Sequence, residues 1–476
     1  MLITHSTVRS GCRSPRVNAK DLPRDTEVQE PDRDAWDDII RPEPGDERKV
    51  EVGRRKGAPT PDSIAQVRRE ISALDFHRID PYVATVGSGV AAGQIDVPKR
   101  EENKIRMNLE PYFDRRVELF MGTHNGPGAP MLVILPGTYG RGKGSHSETL
   151  KKMALERGMN YVAIPNSLSK ESLRDDPRDH PGNPRLSALV AHKALETLKQ
   201  KFPSYFREVS VAGYSYGALN GANLVRYEEE LEEANPGMER LINGGLVSIS
   251  PPENLAHSMK ELDGLRELYK EGAGSIIGNG LKYKKHVKRY GYEDFMQSDL
   301  SARGPGENIT EIKISDKYGS RDGLKDMVDR VDYDFGHKHL PMNKPEFWDG
   351  TEEQRREWQR QHIELLDQMT YDQYSNRYMS TDRWLNEKNL NPDQMAEEYS
   401  FSKAMEVIDD TPVMVLVSAD DYILNSEDVE QFRKLEASPG DLEAVKIFET
   451  GGHVGISWNP EIQETMADFL YAAPTH

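Results

Sequence analysis

The clearest chemical signal in this sequence is nucleophilic attack by a serine. Ser215 stands in Gly-Tyr-Ser-Tyr-Gly, residues 213–217, between the apolar run REVSVAG and ALNGANLVRYEEE, which has a helical pattern. A strand, a sharp turn and a helix in that order expose a serine at the turn. Gly213 and Gly217 leave room for neighbouring backbone, and the start of the helix favours negative charge near the hydroxyl. Because GxSxG also arises by chance, its placement must carry the prediction.

A serine hydroxyl needs a base beside it, and the base needs a carboxylate that orients it. Both residue types follow Ser215 in the chain. Asp420 and Asp421 come directly after the apolar run PVMVLVSA, and His453 lies in Gly-Gly-His-Val-Gly after the run AVKIFET. The glycines allow that loop to bring the imidazole over the sheet edge. The order serine, aspartate, histidine therefore predicts a catalytic triad.

Short apolar strands must position these residues. Strand patterns occur in MLVILPG, MNYVAIPN, REVSVAGYS, GGLVSISPP, PVMVLVSAD and AVKIFETGG, and helical patterns such as SETLKKMALERG lie between several of them. Continuous apolar strands are typical of a parallel sheet covered on both faces, and their alternation with helices predicts a doubly wound α/β fold. We also expect RRVELFMGTHNGPGAPMLVILPG to form a hairpin, because a Gly/Asn/Pro turn joins its two strands.

The chain divides into four expected segments. Residues 1–80 are rich in Arg, Asp, Glu and Pro, which predicts a flexible or loosely docked N-terminal extension with a weak helical pattern in PDSIAQVRREISALDFHRI. Residues 81–254 and 406–476 are expected to form the two parts of the core. Residues 255–405 interrupt the alternation with a charged, aromatic-rich and mainly helical stretch, which predicts a cap insertion.

The chain resembles an α/β-hydrolase, and within that superfamily it is similar to the YheT-like, ABHD-type esterase branch. The resemblance rests on LPGTYGRGKGSHSETL, on the stretch around GYSYG, and on GGLVSISPPENLAHS, PVMVLVSADDYIL and GGHVG. It implies an α/β-hydrolase fold with a mostly parallel sheet, with Ser215 as nucleophile, His453 as base and Asp421 as acid. Ser418 stands where the family usually has glycine before the acid, so Asp420 remains an alternative to Asp421.

The same resemblance implies an oxyanion hole made of backbone amides. One amide belongs to Tyr216, after the nucleophile, and the second to Thr138, in the loop after the early strand. Many relatives have His-Gly where this chain has Pro136-Gly137, but a hole built from backbone does not depend on that histidine.

Side chains near these positions are candidates for binding the substrate. Tyr139, Arg141 and Tyr214 are expected to do so, and Arg141 with Lys143 would favour a substrate that carries an anionic group. The alternative is a role without substrate: Arg141 and Lys143 would be solvated charges of the loop, and Tyr214 would be packed in the protein. The expected reaction is hydrolysis of a carboxylic ester of a small-molecule acyl substrate, with no cofactor and no metal. A thioesterase, a serine peptidase and a non-catalytic binding module on the same fold stay open.

Two other motifs give weaker predictions. GTYGRGKG, residues 137–144, nearly matches a phosphate-binding loop, but Gly144 replaces the required Ser or Thr, and nucleotide binding would leave the serine–aspartate–histidine order unexplained. The histidines of GHKH, residues 336–339, are too few for a metal site and are expected to be exposed loop residues.

Composition narrows the class of protein further. The 476-residue chain has a formal net charge of −18, which disfavours nucleic acid and anionic membranes as partners. A single cysteine, Cys12, excludes a disulfide framework within one chain. No apolar run reaches the roughly 18 residues of a membrane span, and the N-terminus lacks a secretory apolar core. A cytoplasmic location is therefore expected, and the sequence leaves the oligomeric state open.

Overall fold

The computed structural model describes most of the expected core and less of the expected cap. The described residues are 61–76, 81–92, 95, 97, 102–109, 116–138, 140–144, 146–167, 169, 182–272, 351, 353–354, 370–373 and 390–472. All of them belong to one compact unit, which spans residues 50–476. The assignment of residues 255–405 to a cap stays a prediction.

One eight-stranded sheet forms the centre of this unit. Its strands β1 to β8 are Glu102–Asn108, Arg116–Gly122, Met131–Leu135, Asn160–Ala163, Val209–Tyr214, Leu246–Ile249, Val413–Ser418 and Glu443–Phe448. They are arranged in the order β1-β2-β4-β3-β5-β6-β7-β8. β2 runs antiparallel to its neighbours β1 and β4, and every other neighbouring pair is parallel. The α/β-hydrolase fold predicted from the sequence, with a mostly parallel sheet, is confirmed.

The hairpin predicted for residues 115–137 is wrong. β2 pairs with β1 and with β4, whereas β3 pairs with β4 and β5, so that β4 lies between the two strands of the expected hairpin. The Gly/Asn/Pro turn does connect β2 to β3. The fully buried β3 nevertheless pairs in parallel with β4, because the crossover after β3 brings β4 alongside it.

Helices cover both faces of the sheet. Among the described residues, helices α1 to α10 are Pro61–Ala73, Pro81–Ala92, His146–Glu156, Pro184–Lys201, Tyr216–Ala234, Leu255–Gly272, Pro392–Glu398, Phe401–Met405, Ser426–Ala437 and Pro460–Ala472. α1, α3 and α10 share a buried core with Leu132 and Ile134 of β3. α5 lies on the opposite face, where its Gly221 approaches Leu135 and Val211. Because strand residues alternate between faces, each apolar strand is buried on both sides.

Part of the predicted N-terminal extension is packed into this core. The helix predicted in PDSIAQVRREISALDFHRI is present as α1, and its Ile64 and Ile71 side chains are 2% and 1% exposed. The Arg68 guanidinium donates hydrogen bonds to the carbonyl oxygens of Gly440 and Glu443, beside β8. The apolar face of α1 is therefore buried, and the assignment of residues 1–80 to an N-terminal extension stays a prediction. Residues 1–60 lie outside the described residues.

No helix within the described part of the chain combines the length and the apolar character needed to cross a membrane.

Candidate active site

Ser215 occupies a strained turn between the end of β5 and the start of α5. Its backbone angles are φ 55° and ψ −136°, a region that residues other than glycine rarely adopt. The turn is tight on both sides. A Cβ at Gly213 would lie 2.6 Å from the carbonyl carbon of Gly217, and a Cβ at Gly217 would lie 2.6 Å from that of Leu135. Glycine at both positions therefore permits the turn that carries the serine.

His453 reaches Ser215 from the loop that follows β8. Its Nε2 lies 2.7 Å from the Ser215 Oγ, which is hydrogen-bond distance. The loop needs unusual backbone on both sides of the histidine, with φ of 144° at Gly451, 59° at Gly452 and 62° at Val454. The predicted glycine-rich loop thus brings the imidazole to the serine across a sequence separation of 238 residues.

Asp421, at the turn after β7, contacts the other side of the imidazole. Its two carboxylate oxygens lie 2.9 and 3.1 Å from the His453 Nδ1. Because a carboxylate only accepts hydrogen bonds, this contact keeps the proton on Nδ1 and leaves Nε2 free to accept from the serine. The backbone N–H of Ile423 donates to the same carboxylate and holds its orientation.

The carboxylate of Asp420 has a different partner from that of Asp421. Its Oδ1 instead accepts a hydrogen bond of 2.8 Å from the backbone N–H of Gly452. Burial raises the pKa of Asp420 to about 6, the backbone N–H groups of Gly452 and Gly451 oppose that rise, and the neighbouring Asp421 adds to it. Of the two aspartates that the sequence left open, Asp421 is the one placed to orient the histidine.

The three side chains are largely withdrawn from water. Ser215, His453 and Asp421 are 7%, 3% and 2% exposed. The ring of Tyr422 lies edge-on to the His453 imidazole, with 5.6 Å between ring centroids. Low exposure reduces the local dielectric, which strengthens the hydrogen bonds and charges of this group.

The loop expected to supply the second oxyanion amide runs beside the serine. A Cβ at Gly137 would lie 2.9 Å from the Ser215 Cβ, so the loop approaches the turn closely. Thr138 follows in this loop and is partly exposed. Tyr216 is the first residue of α5 and is 1% exposed, so its side chain is packed inside the protein. The roles of the Thr138 and Tyr216 amides stay predictions.

Asn166, which sequence analysis missed, fixes this loop. Its side-chain amide donates to the Pro136 carbonyl at 3.0 Å, and its backbone N–H donates to the Gly140 carbonyl at 2.9 Å. A further bond joins the Gly140 N–H to the Gly137 carbonyl at 2.8 Å. The signal in the sequence was the polar residue at the end of the strand pattern MNYVAIPN. Ser250 was also missed: its Oγ accepts from the Val454 N–H at 3.0 Å.

The expected substrate-binding side chains differ in their surroundings. The Tyr214 hydroxyl lies 3.0 Å from the Ser147 Oγ and its ring lies against His146, and burial raises its pKa to about 12. This packed position favours the structural role over a contact with substrate. Arg141 is exposed, and Tyr139 lies outside the described residues.

Lys143 is already paired with protein groups. Its Nζ lies 3.4 Å from Glu102 Oε1 and 4.2 Å from the centre of the Phe120 ring. It is therefore poorly placed as the lysine of a phosphate-binding loop. The histidines of residues 336–339 lie outside the described residues, and no cluster of three metal-ligating side chains occurs within the described ones.

Comparison with known proteins gives matches in structure only. No protein-family model matches the chain, and no curated protein sequence matches it. Among solved structures, it is similar to an esterase from Pyrococcus furiosus, with 12% identity over 79% of this chain and 95% of that chain and a TM-score of 0.38. It is also similar to carboxylesterase CesB from Bacillus subtilis, with 12% identity over 81% and 96% and a TM-score of 0.40.

A third similar structure is the alpha/beta hydrolase GrgF from a Penicillium species. The identity is 12% over 79% of this chain and 98% of that chain, with a TM-score of 0.41.

Proposed function

We propose that this protein is a serine hydrolase that cleaves carboxylic esters through Ser215, His453 and Asp421. The observation that supports it most is the continuous chain of contacts from Ser215 Oγ to His453 Nε2 at 2.7 Å and from His453 Nδ1 to Asp421 at 2.9 Å. A nucleophile, a base and an orienting carboxylate within hydrogen-bond reach of one another are what acyl transfer to serine requires.

The first half of the reaction forms an acyl-enzyme. Ser215 Oγ attacks the ester carbonyl carbon while His453 Nε2 takes the hydroxyl proton. The backbone N–H groups of Tyr216 and Thr138 stabilise the negative charge on the tetrahedral intermediate, helped by the N-terminus of α5. His453 then returns the proton to the leaving alcohol as the carbon–oxygen bond of the ester breaks. The serine remains acylated.

The second half of the reaction uses water. His453 removes a proton from a water molecule as that water attacks the acyl carbon, and then protonates Ser215 Oγ as the acid product leaves. In both halves Asp421 stabilises the imidazolium that forms and holds the ring in the correct tautomer. Apart from the ester and the water, these steps draw only on side chains and backbone of this chain, so the proposal includes no cofactor.

The bond cleaved is the least constrained part of the proposal. The same residues would hydrolyse a thioester or an amide, because all three reactions pass through a tetrahedral oxyanion. We assign a carboxylic ester of a small molecule because of the resemblance to the YheT-like esterase branch. Membership of that branch is part of the proposal. The cytoplasmic location remains a prediction from the sequence.

Pre-steady-state kinetics with p-nitrophenyl esters of increasing chain length test this function. We expect a burst of p-nitrophenol that approaches one equivalent per protein, a slower steady rate, and a chain-length optimum that measures the acyl pocket. Ser215→Ala should remove the burst, and the matched control Ser147→Ala should keep it. Turnover by Ser215→Ala equal to that of the wild type would exclude Ser215 as the nucleophile.

A further inference from the structure

The loop that carries His453 is held in an unfavourable backbone conformation. Gly452 and Val454, which flank the histidine, both have positive φ, a left-handed conformation that is unfavourable for the branched side chain of Val454. A loop under such strain keeps its shape only if surrounding contacts hold it. The position of His453 therefore depends on the groups that hold its two neighbours.

Three of the groups that contact this loop lie against Gly452 and Val454, the neighbours of the histidine. The Asp420 carboxylate accepts from the Gly452 N–H at 2.8 Å, and the Ser250 hydroxyl accepts from the Val454 N–H at 3.0 Å. The first turn of α2 also lies against the loop, since a Cβ at Gly452 would lie 2.6 Å from the carbonyl carbon of Pro81. Asp420 is the one charged acceptor among these three.

Resting on the function proposed above, we propose that Asp420 is a positioning residue that fixes the loop of His453 so that the imidazole meets Ser215. The two aspartates have different roles. Asp421 orients the imidazole ring, and Asp420 holds the backbone of the residue immediately before His453. An oxygen acceptor at this position satisfies the Gly452 N–H and so ties the backbone before the histidine to the turn after β7.

The alternative interpretation is that Asp420 acts on His453 only through its negative charge. Asp420→Asn separates the two interpretations, because asparagine keeps a carbonyl oxygen that can accept from the Gly452 N–H but carries no charge. Asp420→Ala removes both the acceptor and the charge. Glu449→Ala is a matched control, because it removes an exposed carboxylate three residues before Gly452.

The kinetic test measures ester hydrolysis and thermal unfolding for the full chain and these three variants. If Asp420 holds the loop, Asp420→Ala should lower kcat about 10- to 100-fold with little change in KM, because small displacements of a catalytic group cost about this much. Asp420→Asn should recover most of the lost kcat, and Glu449→Ala should match the wild type. Equal losses in the asparagine and alanine variants, or wild-type kcat in Asp420→Ala, would overturn the proposal.

A crystal structure of Asp420→Ala supplies a readout that needs no turnover. We expect the His453 Nε2 to move beyond the roughly 3.2 Å that a hydrogen bond to Ser215 Oγ allows. A retained Ser215–His453 contact in that variant would refute the positioning role even if the wild type proves inactive. Inactive wild type with the expected displacement would instead refute the esterase function and leave the role of Asp420 in the loop intact.

Discussion

Replacing Glu253 by glutamine should stabilise the protein at alkaline pH and have little effect at acid pH. Glu253 lies between β6 and α6 and is 4% exposed. Its carboxylate oxygens accept from the Ser402 N–H at 3.3 Å. Burial raises its pKa from 4.5 to about 7, the bond to Ser402 opposes the rise, and the carboxylates of Asp428 and Glu397 add to it. The folded protein therefore binds the Glu253 proton more tightly than the unfolded chain does.

The sign and size of the effect follow from linkage. Below pH 4.5 the Glu253 carboxyl is protonated, and therefore uncharged, in both the folded and the unfolded state. As the pH rises through about 7, the folded protein must ionise this carboxyl while it is buried. The difference between 4.5 and about 7 corresponds to about 3 kcal/mol of stability lost over that range. Glutamine carries no charge, so the loss disappears from the variant while a side chain of the same length remains.

Denaturant unfolding followed by tryptophan fluorescence measures this difference. We expect the advantage of Glu253→Gln over the wild type to grow by about 3 kcal/mol between about pH 4 and about pH 8. Glu430→Gln, which neutralises an exposed carboxylate on α9, is the control and should show no comparable trend. A difference between Glu253→Gln and wild type that stays constant with pH would refute the reasoning, because the stability change would then come from packing alone.

Three further substitutions test the site and the core. Gly217→Ala should lower kcat about 100-fold or more in an ester assay. The added Cβ would lie 2.6 Å from the Leu135 carbonyl carbon and would displace the loop beside Ser215. An unchanged kcat would contradict this expectation. Asp421→Asn should lower kcat about 10⁴-fold at constant KM by favouring the wrong imidazole tautomer, and a change confined to KM would count against it. Ile64→Ala should lower the free energy of unfolding by about 2–5 kcal/mol in urea titrations, because Ile64 is 2% exposed in the core. A loss below about 0.5 kcal/mol would argue that α1 is only loosely docked.

The contact partners of Ser215 could be expected from the sequence where the signal was local. Ser215 was recognisable because strand, tight turn and helix follow one another without interruption, and the small residues at 213 and 217 are requirements of that turn. The contact of Ser215 with His453 was expected from chain order and from the rule that parallel strands end at the same sheet edge, although 238 residues separate them.

Non-local features were beyond the sequence. The turn after β2 resembles a hairpin turn. β3 nevertheless pairs with β4, because the crossover between these two strands places β4 alongside β3. Ile64 and Ile71 were visible in the helical pattern of α1, but the sequence did not show that both are buried in the core. The division of roles between Asp420 and Asp421 depends on how the loop after β8 folds over the turn after β7, which no local pattern encodes.

Labelling with a fluorophosphonate tests the central claim most directly, because the reagent reacts much faster with an activated serine than with an ordinary one. The full chain, Ser215→Ala and His453→Ala would be treated together and measured by intact mass, with peptide mapping of the adduct. We predict one adduct on the wild type at Ser215, none on Ser215→Ala, and labelling of His453→Ala slowed about 100-fold or more. No adduct on the folded wild type, or equal labelling of wild type and Ser215→Ala, would contradict the claim that Ser215 is a nucleophile activated by His453.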